Sequence, residues 1–128
     1  MAGLITEEAV RTEDFINKAW PKLKTRKEIP LRELFPKPEN FGLKHIWTYG
    51  SADVVVYRDN KIIAIFEPGG SHHFQDEKQI KNDKRKYMLC KKNGVAYLKF
   101  ANSVLWESSK RQMRRIFGKY LFGTNGVL

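Results

Sequence analysis

Two apolar runs separated by three polar residues set the tightest limit on the fold. "ADVVVY" at 52 to 57 and "KIIAIF" at 61 to 66 are dense in β-formers, and "RDN" between them supplies turn residues. The pair predicts a β-hairpin, and the nearly unbroken apolar runs predict a sheet covered on both faces. A charged stretch of helical composition follows from Asp76 to Asn93, closed by Gly94, and leads into a further strand, "VAYLKF" at 95 to 100. A hairpin forces antiparallel pairing, whereas a helical crossover delivers a parallel strand, so the sheet is expected to be mixed. The predicted class is α/β, one domain over residues 1 to 128, with a mixed central sheet flanked by helices.

The remaining segments are placed around this centre. Thr6 or Thr12 caps a first helix ending before Pro21, with Val10, Phe15, Ile16, Ala19 and Trp20 as its buried stripe. Residues 21 to 44 read as an irregular connection, rich in proline and anchored by Leu31, Leu34, Phe35 and Phe41. Its basic start, "KLKTRK" at 22 to 27, suits phosphate contact or a solvated face equally. "HIWTYG" at 45 to 50 reads as an edge strand. On the 76 to 93 helix, Ile80, Tyr87, Met88 and Cys90 are expected on the packing side. A last helix runs from Ser103 to Phe122 through Val104, Leu105, Ile116, Phe117, Tyr120 and Leu121, and a mobile tail is expected over 123 to 128.

Charge narrows the partners. The formal net charge is +10, and it is unevenly spread: residues 1 to 64 carry 11 Lys/Arg against 9 Asp/Glu, residues 65 to 128 carry 13 against 5. The second half is therefore the candidate polyanion surface. The single cysteine, Cys90, excludes an internal disulfide and argues against a thiolate zinc cluster. No apolar run is long enough to span a bilayer and no signal peptide is evident, so a cytoplasmic protein without membrane contact is expected.

Asp53 opens one strand of the hairpin and Glu67 closes the other, so antiparallel pairing brings the two carboxylates together. They repel unless a divalent cation lies between them, and oxygen ligands suit Mg²⁺ or Mn²⁺. Strand-edge and solvated roles are the alternative. "FEPGGSHH" at 66 to 73 follows directly; Gly69 and Gly70 allow a sharp bend, and His72 or His73 could move a proton. No P-loop or dinucleotide fingerprint is present. Gln79 and Asp83 share one helix face. Lys81, Lys84 and Arg85 beside them, and Lys110, Arg111, Arg114 and Arg115 on the last helix, are spaced for phosphate contact or for a solvated surface.

Residues 52 to 100, "ADVVVYRDNKIIAIFEPGGSHHFQDEKQIKNDKRKYMLCKKNGVAYLKF", resemble the PD-(D/E)xK nuclease superfamily, above all its very-short-patch-repair (Vsr-like) and DUF559-type endonucleases. The resemblance implies a restriction-endonuclease-like core that binds divalent metal and cuts DNA. It places the first metal carboxylate on Asp53, the strand-end acid on Glu67 and the family histidine on His73, with Gly70-Ser71-His72-His73 matching the G-x-x-H continuation. Asn82-Asp83-Lys84-Arg85 matches a further segment approximately. The Pro68 carbonyl would complete the metal shell, and an acid of the first helix, Glu7, Glu8 or Glu13, would support it. One departure stands out: Gly69 occupies the place of the usual lysine, and His73 would take over part of its role. The implied function is a metal-dependent DNA endonuclease. A catalytically inactive DNA-binding or structural protein of nuclease descent and an RNA-binding module are the alternatives, and the sequence leaves open whether two chains pair as a homodimer.

Overall fold

The computed structural model describes residues 5 to 69 and 77 to 123, and they form a mixed α/β fold with a central sheet between helices. In chain order the elements are α1 (Glu7–Ala19), β1 (Lys24–Pro30), α2 (Leu31–Leu34), α3 (Phe41–Tyr49), β2 (Ser51–Arg58), β3 (Lys61–Pro68), α4 (Glu77–Lys92), β4 (Ala96–Phe100), α5 (Asn102–Glu107) and α6 (Lys110–Phe122). The sheet order is β1-β2-β3-β4, with the first two pairings antiparallel and β3–β4 parallel.

The predicted hairpin turns through Asp59 and Asn60, both at positive φ (50° and 65°), and Arg58 pairs directly with Lys61. Two left-handed central residues give the turn whose twist matches that of the strands. Further along, Val56 pairs with Ala64 but Tyr57 with Ile62, so Ile63 is an extra residue, a β-bulge. The bulge shifts the later register so that Val54 faces Phe66, and one step on Asp53 falls opposite Glu67. A regular ladder from the same turn would have set Asp53 against Phe66.

The covered sheet separates two cores. Val54, Val56, Ala64, Phe66, Leu98 and Phe100 pack against α1, α5 and α6 through Ile16, Leu105, Phe117 and Leu121. Val55 and Ile65 pack against α2, α3 and α4 through Leu31, Ile46, Leu89 and Cys90. Burying both faces explains why the two strand runs are almost wholly apolar. Thr6 caps α1, its hydroxyl accepting from the Ala9 amide at 3.1 Å, and Gly94 at φ +72° ends the crossover after α4.

Four expectations are corrected. "HIWTYG" lies in the helix α3, whose Asn40 side chain accepts from the Leu43 amide at 3.2 Å and whose Leu43 and Ile46 are buried. The 21 to 44 connection contains an edge strand, β1, and a helical turn, α2. The last helix is two helices, because Ser109 forms a capping box with Gln112 and restarts the chain as α6. Ile80, Tyr87 and Met88 are exposed, as are Val10, Phe41 and Tyr120, and the buried side of α4 consists of Leu89 and Cys90. Among the described residues no helix is long and apolar enough to cross a membrane.

Candidate active site

Three carboxylates lie in one row across three strands. Lys27 pairs with Val54 and Ile29 with Ala52, which brackets Glu28 opposite Asp53, and Asp53 in turn lies opposite Glu67. Glu67 pairs across the parallel ladder with Lys99. Glu28 adopts φ +52°, a left-handed conformation rare for a residue of its kind and a departure from strand geometry at the edge of the site.

Glu67 is almost fully buried, at 3% exposure, which removes the reading of a solvated carboxylate. Its charge is held by Lys86, which donates to both carboxylate oxygens at 3.0 and 3.1 Å and to the Ser51 carbonyl at 2.8 Å. The Tyr97 hydroxyl donates to Oε1 at 2.6 Å, and the Asp53 amide donates to Oε2 at 3.3 Å. A buried carboxylate is tolerable only when paired and hydrogen-bonded in this way.

The electrostatics follow from this crowding. Burial, then the charge of Glu67, pushes the Asp53 carboxyl up to about 7 against the opposing pull of Lys86, and a hydrogen bond with Glu28 favours its protonated form. Burial lowers the Lys86 ammonium, but the charge and hydrogen bonds of Glu67, with Asp53 and Asp83, outweigh it and leave its pKa above the ordinary lysine value. Lys86 is therefore a fixed cation at neutral pH. Burial and Glu67 also raise Tyr97, which stays a neutral donor, and burial first and Glu67 second push the Cys90 thiol up to about 12. Cys90 is accordingly an inert core residue.

The predicted residues divide as follows. Asp53 and Glu67 are brought together, and half-buried Pro68 adjoins Glu67 at the end of β3. Gln79 donates to Asp83 at 3.1 Å, and Lys99 holds the same Asp83 oxygen at 2.9 Å, so this pair sits beside the row. Lys81, Lys84 and Arg85 follow on α4. Glu8 lies in the first turn of α1, the helix layer across the sheet from Lys86, and Glu13 bonds to Lys27. Lys110, Arg111, Arg114 and Arg115 are exposed on α6, also across the sheet, with Arg114 tied to the Ala19 carbonyl at 3.2 Å and over the Trp20 ring. His72, His73, Gly70 and Ser71 lie outside the described residues. Among the described residues, no group of three or more His, Cys, Asp or Glu side chains is gathered tightly enough to hold a metal ion.

Glu28, Lys86 and Tyr97 were not singled out from sequence. The lysine had a usable signal: Lys86 stands one turn before Leu89 and Cys90, on the inward side of α4. Gly69, where a lysine would be expected, has φ +95°, a conformation that strains any L side chain, and its amide donates to the Phe100 carbonyl at 2.9 Å. The backbone therefore disfavours a lysine at 69, while α4 brings one to Glu67 from above. Compared with protein-family models, curated proteins and solved structures, the chain matches none.

Proposed function

We propose that this chain is a divalent-metal-dependent DNA endonuclease with a restriction-endonuclease-like core. The observation that carries the reading is the convergence of Asp53, Glu67 and Lys86: two acids at facing strand ends with a lysine on the second acid. That is the chemical set of a (D/E)xK site, with its lysine supplied by α4. The hairpin, the parallel strand after a helical crossover and the helices on both faces agree with it.

Two carboxylates and a carbonyl are the kind of oxygen donors that a hard cation takes, fewer than an all-protein cage needs but enough for an ion that keeps its waters. Asp53 is driven toward protonation by burial and then by the charge of Glu67, a repulsion that Mg²⁺ or Mn²⁺ would relieve, and such ions are bound by one or two carboxylates while keeping several waters. Asp53 and Glu67 would hold the ion, with the Pro68 carbonyl as a third oxygen. When bound it would supply charge to the phosphate and lower the pKa of a water. Asp53 must release its proton to serve as a ligand, so affinity should rise as pH passes through about 7. Lys86, remaining protonated, cannot act as a base; it balances Glu67 and presents positive charge to a phosphate oxygen. His73 is assigned proton transfer by the family resemblance alone.

One observation favours a second reading. Lys86 and Tyr97 already satisfy Glu67, which suits a catalytically inactive DNA-binding protein of nuclease descent. A cleavage assay over linear, nicked, mismatched, forked and four-way DNA, with Mg²⁺, Mn²⁺ or chelator, separates the two. Metal-dependent cleavage that disappears in Asp53→Asn and Glu67→Gln supports the nuclease. Full activity in both variants rejects this site, and binding without cleavage on every substrate supports the inactive reading.

A further inference from the structure

The outer face of α3 carries an aromatic stripe that is no part of either core among the described residues. Phe41, His45 and Tyr49 stand four residues apart on one side of the helix, while Leu43, Ile46 and Trp47 face inward. Phe41 is 88% and Tyr49 77% exposed, and the rings of His45 and Tyr49 meet at 5.0 Å. Rings this open in a nine-residue helix contribute little to the core and cost hydration.

The stripe borders a groove of about 470 Å³ that is also lined by Lys44 and Arg85, and none of the described residues lining it is acidic. Arg85 is the neighbour in sequence of Lys86, the cation on Glu67. At the other end Asp53 stands four positions after Tyr49, no more than about 14 Å of chain. Gly50 makes the junction tight: its amide bonds to the Ile46 carbonyl at 2.7 Å, and a Cβ there would lie 2.5 Å from that same oxygen. Aromatic faces and adjacent cations thus line one groove, and the two elements that carry them, α3 and α4, lead directly to Asp53 and to Lys86.

We infer that this stripe stacks unpaired bases of a DNA strand whose phosphates continue toward Asp53 and Glu67, so that the substrate class is DNA with a single-stranded segment, such as a flap or fork. The choice of DNA rests on the nuclease reading above. Bases inside a continuous duplex have no free face, whereas an unpaired base offers one to any aromatic ring regardless of sequence. Lys44 and Arg85 match the strand's charge. A second copy is the poorer occupant, because a twofold pairing of this groove would set the same cations against themselves.

The test is fluorescence anisotropy with a labelled oligothymidylate and a blunt duplex of equal length, both in chelator so that no cleavage is required. Phe41→Ala/Tyr49→Ala should weaken single-strand binding by roughly one to two orders of magnitude and leave duplex binding and the thermal melt unchanged. Phe41→Leu/Tyr49→Leu should show the same loss, since it keeps apolar area but removes the ring faces. Unchanged single-strand affinity overturns the inference, as does equal loss on both probes, or a wild-type dimer that dissociates in the variant with DNA binding intact. Because binding is read without metal, loss of single-strand affinity supports the stripe even if no cleavage is ever seen, and cleavage by a variant with intact binding rejects the stripe alone.

Discussion

Replacing Lys86 with methionine tests the centre of the site directly. The ammonium group makes two bonds to a carboxylate whose side chain is 4% exposed, and one to a buried-strand carbonyl. Among the described residues, removing it leaves Glu67 with the Tyr97 hydroxyl and the Asp53 amide, and an uncompensated buried charge costs about 3–5 kcal/mol. That is a large share of the roughly 5–15 kcal/mol expected for a domain of this size. The sign with pH is fixed: a lysine whose folded pKa is raised stabilises fully below its ordinary value and loses that contribution only as pH climbs through the folded value. Urea unfolding at pH 8, followed by circular dichroism, should therefore show a lowered midpoint with an unchanged slope. The paired variant Lys86→Met/Glu67→Gln should recover most of the loss, because a neutral pair needs no counter-charge. A single-variant cost below about 1 kcal/mol, or no recovery in the double variant, would refute the view that Lys86 neutralises Glu67.

Two more outcomes follow from the same geometry. Asp53, raised from 3.8 to about 7, binds its proton more tightly folded than unfolded, so its contribution to stability should fall as pH rises from about 4 to 7, by a few kcal/mol at most, then level off. Asp53→Asn should lack that fall, and parallel stability–pH curves for the two proteins would count against the assigned environment. If the chain binds DNA as proposed, Arg111→Ala and Arg115→Ala on α6 should each weaken binding evenly across DNA sequences and reduce the salt slope by about 1, measured by anisotropy over a salt series; unchanged binding would reject α6 as a DNA surface.

The sheet's centre was legible because both strands are buried on both faces and their composition has no competing interpretation. The edge was not. In β1 only Ile29 is buried, and Lys24, Arg26, Lys27 and Glu28 give it the charged look that edge strands use to resist pairing, which reads in sequence as loop. "HIWTYG" has β-forming residues, but the helical spacing of Leu43, Ile46 and Trp47 begins upstream of that window, after the Asn40 cap. The two acids were legible because a hairpin is local. Lys86 was not, since it meets Glu67 across 19 residues of chain and only tertiary packing brings it there. Glu28 is further still from its partner, and nothing in its sequence surroundings announces a left-handed residue.

The bulge at Ile63 gives the hairpin one residue of slack. Ile63 and Ala64 both lie on the α1 and α6 side of the sheet while Ile62 and Ile65 lie on the other, so removing that one residue would give β2 and β3 a regular ladder with the remaining partners unchanged. Phe66 would still face Phe100 and Phe117, and Glu67 would still reach Lys86. The segment between Ile62 and Glu67 thus absorbs the loss of one residue; the loss of a second would step the register, exchange the contents of the two cores, and part the acid from the lysine.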